Sequence, residues 1–334
     1  MHDDRKSGVT RRGFLSGALG ALGAGAVLPG TARAAERGAL ATLIDLSLCD
    51  GCPGREMPAC VAACKAWHNH TIPRPVDPIP VPFPRAVIED WSKKQDVSDR
   101  LTPYNRIFIQ QAEVEYQGMR RAISIPRRCM HCDNPACATL CPFSANHKHA
   151  NGAVVIDPDL CFGGAKCRTL CPWEIPQRQS GVGLYLHVLP TLMGNGAMYK
   201  CDLCHEWLQQ GRDPACIEAC PKKALLIGDR TLIFQEAEDR ARRMQGFLYG
   251  KEENGGTSTL YVSPVPFELL DQAVEKGKGR PGLGPVKRRM DRTDPLGAVV
   301  LAAPAVGLAA GLAGSIKLLT DRRAKVKKEE ANND

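Results

Sequence analysis

The sequence lacks the patterns of an enzyme active site. Its 334 residues hold no phosphate-binding loop, no Ser–His–Asp arrangement and no nickel-site motif. Nor is the composition collagen-like or disordered, because 43% hydrophobic and 24% charged residues are ordinary for a globular protein. A general excess of positive charge is also missing. The net charge of +8 arises at the two ends, while residues 35–275 hold 26 basic and 28 acidic side chains, so a nucleic-acid-binding surface is not indicated.

Cysteine, in contrast, is abundant. The chain has 15 cysteines, a share below the ~8–10% of small disulfide scaffolds. A length of 334 residues allows two domains or one large domain, and a chain of this size buries a core without disulfides. The cysteines are therefore predicted to be ligands or reactive groups.

The N-terminal residues 1–34 have the features of a twin-arginine export signal. The pair Arg11-Arg12 precedes a mildly apolar stretch to Leu28 and an Ala-x-Ala site at Ala32-Arg33-Ala34. Cleavage there would start the mature chain near Ala35, in the periplasm; the alternative is an uncleaved N-terminal anchor. A twin-arginine route carries proteins that are already folded.

A membrane anchor is expected near the C-terminus. Residues 296–316 carry no charge, and as a helix they would rise about 31 Å, against a hydrocarbon core of about 30 Å. The sequence predicts a single transmembrane helix there, after a basic linker at 276–295 that suits lipid head groups and before a cytoplasmic tail at 317–334. The body would then lie on the periplasmic face of the bacterial inner membrane. A buried soluble helix is the alternative.

The cysteines fall into four groups with similar spacing. The groups are Cys49-x2-Cys52-x7-Cys60-x3-Cys64; Cys129-x2-Cys132-x4-Cys137-x3-Cys141-Pro142; Cys161-x5-Cys167-x3-Cys171-Pro172; and Cys201-x2-Cys204-x11-Cys216-x3-Cys220-Pro221. Three thiolates on a short loop can wrap an iron–sulfur cubane, and the fourth, on a following helical turn, reaches a neighbouring cluster. Zinc sites and disulfides are the alternatives, but zinc ligands come as two separated C-x2-C pairs, and a chain folded before export passes through a reducing cytosol.

The third group is one ligand short. A regular C-x2-C-x2-C-x3-C run from Cys161 would place a cysteine at position 164, where the sequence has Gly164. Glycine offers no side-chain ligand. The spacing therefore predicts a 3Fe–4S cluster, or a 4Fe–4S cluster with water or hydroxide on the open iron.

At this point the chain resembles the four-cluster ferredoxin-type electron-transfer subunits of periplasmic respiratory enzymes. Residues 125–137 (IPRRCMHCDNPAC) and 199–204 (YKCDLC) are similar to the second and fourth motifs of that family. The resemblance covers about residues 40–275. It implies an α+β fold in which residues 35–275 form two ferredoxin-like halves, a duplicated bacterial fold with two clusters each.

The resemblance also implies how the groups pair: the first with the fourth, and the second with the third. The implied ligand sets are Cys49, Cys52, Cys60 and Cys220; Cys201, Cys204, Cys216 and Cys64; Cys129, Cys132, Cys137 and Cys171, each for a 4Fe–4S cluster; and Cys141, Cys161 and Cys167 for the 3Fe–4S cluster. In this scheme no cysteine is left over.

Residues 255–268 (GGTSTLYVSPVPFE) resemble a region of the iron–sulfur subunit of membrane-bound nickel–iron uptake hydrogenases. The predicted export signal and C-terminal membrane helix are also similar to those of that subunit. The implied function is electron transfer between the small and large hydrogenase subunits and a polytopic, quinone-reactive membrane subunit, without a catalytic site in this chain. The alternative is the beta subunit of a molybdopterin oxidoreductase, such as formate dehydrogenase or a tetrathionate- or polysulfide-type reductase.

A few further elements are predicted outside the cysteine groups. The pattern indicates short strands at 107–109 and 114–116, a hairpin turn at Asn151-Gly152 leading into a strand at 153–156, and an amphipathic helix at 231–244. The proline-rich residues 73–84 are expected to be an extended crossover or a segment that wraps a partner. The insertion 177–198 is expected to be a packed loop or a contact with a membrane or partner. His131 is expected to hydrogen-bond near a cluster, and His147 and His149 to face solvent.

Overall fold

A mixed four-stranded sheet lies at the centre of the molecule. The computed structural model describes residues 38–84, 86–192, 194–291, 317 and 320. The sheet has the order β8-β1-β10-β9, with β1 at Leu40–Asp45, β8 at Leu225–Asp229, β9 at Phe247–Tyr249 and β10 at Thr259–Ser263. β1 runs parallel to β10 and antiparallel to β8, with Thr42 opposite Thr259 on one side and Ile227 on the other. Every residue of β1 and β10 is buried, as in a sheet covered on both faces.

The predicted amphipathic helix is confirmed at Arg230–Arg243 and covers one face of this sheet. It begins after Asp229, whose carboxylate accepts hydrogen bonds from the backbone N–H groups of Thr231 and Leu232, as an N-cap does. Ile233 and Ala237 face inward and pack with apolar residues of β1 and β10. Six shorter α-helices precede it in the described part of the chain, so it is labelled α7.

Two antiparallel hairpins lie beside the sheet. The first joins β2 at Phe108–Tyr116 to β3 at Met119–Arg127, so the two predicted short strands are parts of one nine-residue strand. Its turn residues, Gln117 and Gly118, both have positive φ, which fits the right-handed twist of a tight hairpin. The second joins β4 at Asn146–Lys148 to β5 at Val154–Ile156 across the predicted Asn151-Gly152 turn.

A short helix carries at least one cysteine of each group: α1 at Ala59–His68 carries Cys60 and Cys64, α2 at Ala136–Thr139 carries Cys137, α3 at Lys166–Leu170 carries Cys167, and α6 at Ala215–Glu218 carries Cys216. A further short helix, α5 at His205–Gln209, directly follows Cys204. α1 packs on α6, and α2 packs on α3. The first cysteine group therefore adjoins the fourth, and the second adjoins the third, which is the duplicated ferredoxin-like arrangement.

The proline-rich segment and the insertion pack against each other. Backbone N–H groups of Val76 and Phe83 donate to the carbonyl oxygens of Gly181 and Thr191, at 2.9 and 2.7 Å. Within the insertion lie β6 at Gln177–Gln179, α4 at Tyr185–Val188 and β7 at Ala197–Tyr199. This favours the packed-loop and crossover interpretations for both segments. A last helix, α8 at Phe267–Ala273, packs on β2.

The predicted transmembrane helix requires a correction. Among the residues that the structure describes, no helix is long and apolar enough to cross a membrane. The longest one, α7, has 14 residues and extends about 21 Å, short of the ~30 Å hydrocarbon core. The described residues form a duplicated ferredoxin-like α+β body. Residues 1–37 and 292–316, which include the predicted export signal and the predicted membrane segment 296–316, lie outside the described residues, as do most residues of the tail 317–334.

Candidate iron–sulfur cluster sites

All fifteen cysteines are free thiols, and eight of them are buried. The structure brings them together in four sets that coincide with those the family resemblance implies. Whether each set holds a cluster stays a prediction.

Set one joins the first and fourth groups. The thiol of Cys60 interacts electrostatically with those of Cys49, Cys52 and Cys220. These four line one cavity, together with Ile109, Pro221 and Leu225.

Set two also combines cysteines of the first and fourth groups. The last cysteine of the first group, Cys64, belongs to this set and not to set one. The thiol of Cys64 interacts with Cys201, Cys204 and Cys216 of the fourth group. It lies on α1, one helical turn beyond Cys60, and this places the two thiols in different sets.

Sets three and four combine cysteines of the second and third groups in the same way. In set three, the thiol of Cys171 interacts with Cys129, Cys132 and Cys137. In set four, Cys141, Cys161 and Cys167 line a cavity together with Gly164. The rings of Phe143 and Phe162 stack at 4.3 Å beside this cavity.

The four sets form a continuous row. Set one adjoins set two through Cys60 and Cys216, which interact electrostatically. Set two adjoins set three through Cys201 and Cys129. Set three adjoins set four through Cys137 and Cys167. The order along the row is therefore one, two, three, four.

The same backbone turn opens all four cysteine groups. The residue two positions after the first cysteine has a positive φ in each group: Gly51, His131, Gly163 and Leu203, at 73°, 49°, 65° and 62°. The N–H of each of these residues donates to the sulfur of the first cysteine. Non-glycine residues rarely adopt this conformation, and they do so mainly at functional sites. The turn at Gly163 is retained although the cysteine that should follow it is absent.

A second sequence repeat, the tripeptide Pro-Ala-Cys, was not among the predictions. Three cysteine helices begin with the same tripeptide: Pro58-Ala59-Cys60, Pro135-Ala136-Cys137 and Pro214-Ala215-Cys216. Proline has a fixed φ and no N–H, so it is suited to a helix start. The third group has Ala165 before its helix instead, in a left-handed conformation. The recurrence of Pro-Ala-Cys was the signal that could have located these helices.

Burial makes several of the free thiols poor acids. It raises the pKa of Cys49 to about 11, and those of Cys132 and Cys216 to about 12. A buried thiolate needs a compensating positive charge, which a bound metal supplies. Thiols in sets of three and four, with N–H groups directed at their sulfurs, fit iron–sulfur clusters.

Two buried histidines direct N–H groups at sulfur atoms. Nδ1 of His131 accepts a hydrogen bond from the backbone N–H of Val154 at 2.9 Å, so its proton is on Nε2, 3.6 Å from Sγ of Cys201. The prediction for His131 is confirmed. His147 is exposed as expected, whereas His149 is half-buried and its ring lies 3.8 Å from that of His205.

The other histidine, His68, was not singled out from the sequence. Burial lowers the pKa of His68 to about 4, so the ring is neutral. Its Nδ1 accepts from the guanidinium of Arg106 at 2.9 Å, and its Nε2 lies 3.4 Å from Asp202 and 3.7 Å from Sγ of Cys204. Arg106 also pairs with Asp202 at 3.0 Å. No local pattern connects these residues, which are far apart in the chain.

The fold and the thiol sets define a duplicated ferredoxin-type iron–sulfur protein. Two family models, each described as a 4Fe-4S dicluster domain, match residues 48–145 and 121–230. The chain is 31% identical to the hydrogenase-2 operon protein HybA of Shigella flexneri over 308 residues, which covers 79% of this chain and 83% of that protein.

Other relatives have similar coverage. A protein of Nitratidesulfovibrio vulgaris is 31% identical over 286 residues, 80% of this chain and 68% of its own length. The iron–sulfur subunit of the nitrate-inducible formate dehydrogenase of Shigella flexneri is 27% identical over 230 residues, 67% of each chain. The chain belongs to this family of ferredoxin-type subunits, and it is an iron–sulfur electron-transfer subunit of an oxidoreductase complex.

Proposed function

We propose that this chain transfers electrons between a periplasmic nickel–iron hydrogenase and a quinone-reactive integral membrane subunit. The observation that carries the proposal is the continuous row of four thiol sets, each adjoining the next. When bound, iron–sulfur clusters exchange one electron at a time. A row of four gives a path through the whole body, and the relation to HybA over 79% of the chain supports a hydrogenase as the catalytic partner.

The cofactors proposed are three 4Fe–4S clusters, in sets one to three, and a 3Fe–4S cluster in set four. Support for the last comes from Gly164, which lines the set-four cavity where a fourth ligand would stand. The turn preceding it is shared with the other groups, so the site is a cluster site that lacks one ligand. A three-iron cluster usually has a higher potential, which suits the end of the row from which electrons leave for the membrane subunit.

The proposed location is the periplasm. The Arg11-Arg12 pair and the Ala-x-Ala site support export of the folded chain by the twin-arginine route. Cluster insertion in the cytosol before export fits that route, because it carries folded proteins. Cleavage near Ala35 is testable by N-terminal sequencing of the mature protein.

A second candidate partner is a molybdopterin enzyme. The relation to the formate dehydrogenase iron–sulfur subunit, over 67% of the chain, supports it. The row of thiol sets serves either partner equally well, because the substrate is oxidised on another subunit.

The two partners are separated by purifying the chain from its native membranes and identifying the bound subunits by mass spectrometry. We expect nickel–iron hydrogenase subunits and dye reduction driven by hydrogen. Molybdopterin subunits and reduction driven by formate would replace the first proposal with the second. Electron paramagnetic resonance of the same sample reports the clusters, and finding only 4Fe–4S signals would contradict the three-iron assignment.

A further inference from the structure

Two cations are buried between the halves of the molecule. Lys200 has 4% of its surface exposed and Arg128 has 1%. Lys200 immediately precedes Cys201, and Arg128 immediately precedes Cys129, so both stand where set two adjoins set three. Buried charges of this kind are rare unless an opposite charge compensates them.

The ammonium of Lys200 lies at the junction of three sets. It donates hydrogen bonds to the carbonyl oxygens of Val154 and of Cys201, the latter at 3.1 Å. It interacts electrostatically with the thiols of Cys129 and Cys137 in set three and of Cys201 in set two. It also acts on Cys167 in set four.

The guanidinium of Arg128, which directly follows β3, lies at the same boundary. Its Nη1 lies 3.8 Å from Sγ of Cys201, and its Nη2 donates to the hydroxyl of Thr42 at 2.7 Å. Its Nε is buried without a hydrogen-bond partner. The group is therefore directed at a sulfur atom and is not fully satisfied by neutral partners.

Neither cation pairs with a carboxylate within the described part of the chain. Asp202 is near enough to act on Lys200, but its carboxylate is 3.0 Å from Arg106 and 3.4 Å from His68. Leaving two such cations uncompensated would cost several kcal/mol each. Clusters held by four thiolates carry net negative charge, and sets two and three would supply the missing counter-charge.

We propose that Lys200, together with Arg128, is the internal counter-cation that sets the reduction potentials of the two middle clusters. A nearby positive charge stabilises the reduced, more negative state of a cluster, so it raises the potential. The two cations thereby control the passage of electrons from one half of the molecule to the other. This rests on the ligand sets of the proposed function, and it makes Lys200 a positioning residue for electron transfer and not a ligand.

The test is a redox titration of the full complex, followed by electron paramagnetic resonance, with Lys200→Met. We expect the equilibrium constants for reduction of two 4Fe–4S clusters to fall by roughly tenfold or more. Each factor of ten lowers the reduction potential by about 59 mV. The remaining 4Fe–4S cluster, in set one, should change least. Lys200→Arg keeps the positive charge and should keep the potentials near those of the wild type.

Lys222→Met is the matched control. Lys222 lies two residues from a cysteine ligand, Cys220, but it is 57% exposed and pairs with Asp50 at 3.3 Å. Water screens its charge, so its removal should leave all potentials unchanged within twofold in the equilibrium constant.

Unchanged potentials in Lys200→Met, with all clusters present, would overturn the inference while leaving the proposed function intact. If that variant fails to load its clusters, Lys200→Gln, which keeps N–H donors but removes the charge, carries the same expectation. A wild-type protein without four cluster signals would instead contradict the ligand sets and the inference with them.

Discussion

Nε2 of His68 lies 3.7 Å from Sγ of Cys204, and the opposite nitrogen of the ring accepts a hydrogen bond from Arg106. The arginine fixes the proton on Nε2, which then faces both the sulfur and a carboxylate oxygen of Asp202, 3.4 Å away. Hydrogen bonds to cluster sulfurs are among the factors that set reduction potentials. A residue of the first helix thus acts on a thiol of the fourth cysteine group.

Replacing this donor should lower one potential. His68→Phe keeps a planar ring but removes the N–H, so we expect one cluster potential to fall and the iron content to stay unchanged. Redox titration with paramagnetic detection measures it. His70→Phe, at an exposed histidine two residues away, should leave the titration unchanged, and an equal shift in both variants would refute the role of the hydrogen bond.

Gly164→Cys should convert set four into a four-thiol site. A Cβ at position 164 meets no atom within 4 Å, so the side chain has room, and Gly164 lines the same cavity as the other three thiols. We expect the 3Fe–4S signal to disappear and one more 4Fe–4S signal to appear. Gly164→Ala, which adds the same Cβ without a thiol, should keep the three-iron signal. Persistence of that signal in the cysteine variant would rule out this geometry.

The exchange of cysteines between groups can be tested by double substitution. Cys64 and Cys201 share set two, whereas Cys64 and Cys49 belong to different sets. Cys64→Ala with Cys201→Ala should therefore lose no more iron than either single variant, while Cys64→Ala with Cys49→Ala should lose the iron of two clusters. Iron analysis of purified protein measures this. Equal losses in both doubles would contradict the sets.

Glu89 should make stability depend on pH. Its side chain is 4% exposed; burial alone would raise the pKa of Glu89, but hydrogen bonds from Arg168, Arg178 and Lys278 outweigh this and hold it well below its ordinary value. A depressed pKa stabilises the fold above the unfolded value of about 4.3, and this stabilisation is lost as the pH falls below that value.

We expect Glu89→Gln to lower the free energy of unfolding by about 3 kcal/mol at pH 7, because it leaves two half-buried guanidinium groups without their counter-charge. The difference from the wild type should shrink below about pH 4. Urea unfolding followed by tryptophan fluorescence provides the measurement. Glu115→Gln, at an exposed position of β2, is the control. A difference that does not change with pH would argue against the ion pairs.

The site was easier to predict than the fold around it. Spacing alone located all fifteen cysteines and the gap at Gly164, because most ligands of each set come from one short stretch of the chain. α7 and the Asn151-Gly152 turn were found for the same reason, since helical periodicity and turn residues are local signals.

The central sheet was missed because its pairing is not local. Thr42 of β1 lies opposite Thr259 of β10, 217 positions later, and no short pattern encodes such a contact. The network of His68, Arg106 and Asp202 was missed for the same reason. The membrane helix was predicted from an uncharged run in which 11 of 21 residues are alanine or glycine, a weak basis for a hydrophobic assignment.

The contact of Cys64 with Cys216 has a consequence for biosynthesis. Sets three and four draw all their thiols from positions 129 to 171, so both are complete as soon as that stretch has left the ribosome. Sets one and two stay open until residues 216 and 220 have been made. Under these ligand sets, sets three and four can acquire iron first. In a chain truncated before Cys216, the four thiols of the first cysteine group would lack their partners Cys216 and Cys220. Sets one and two can therefore both be completed only after residue 220 has been synthesised.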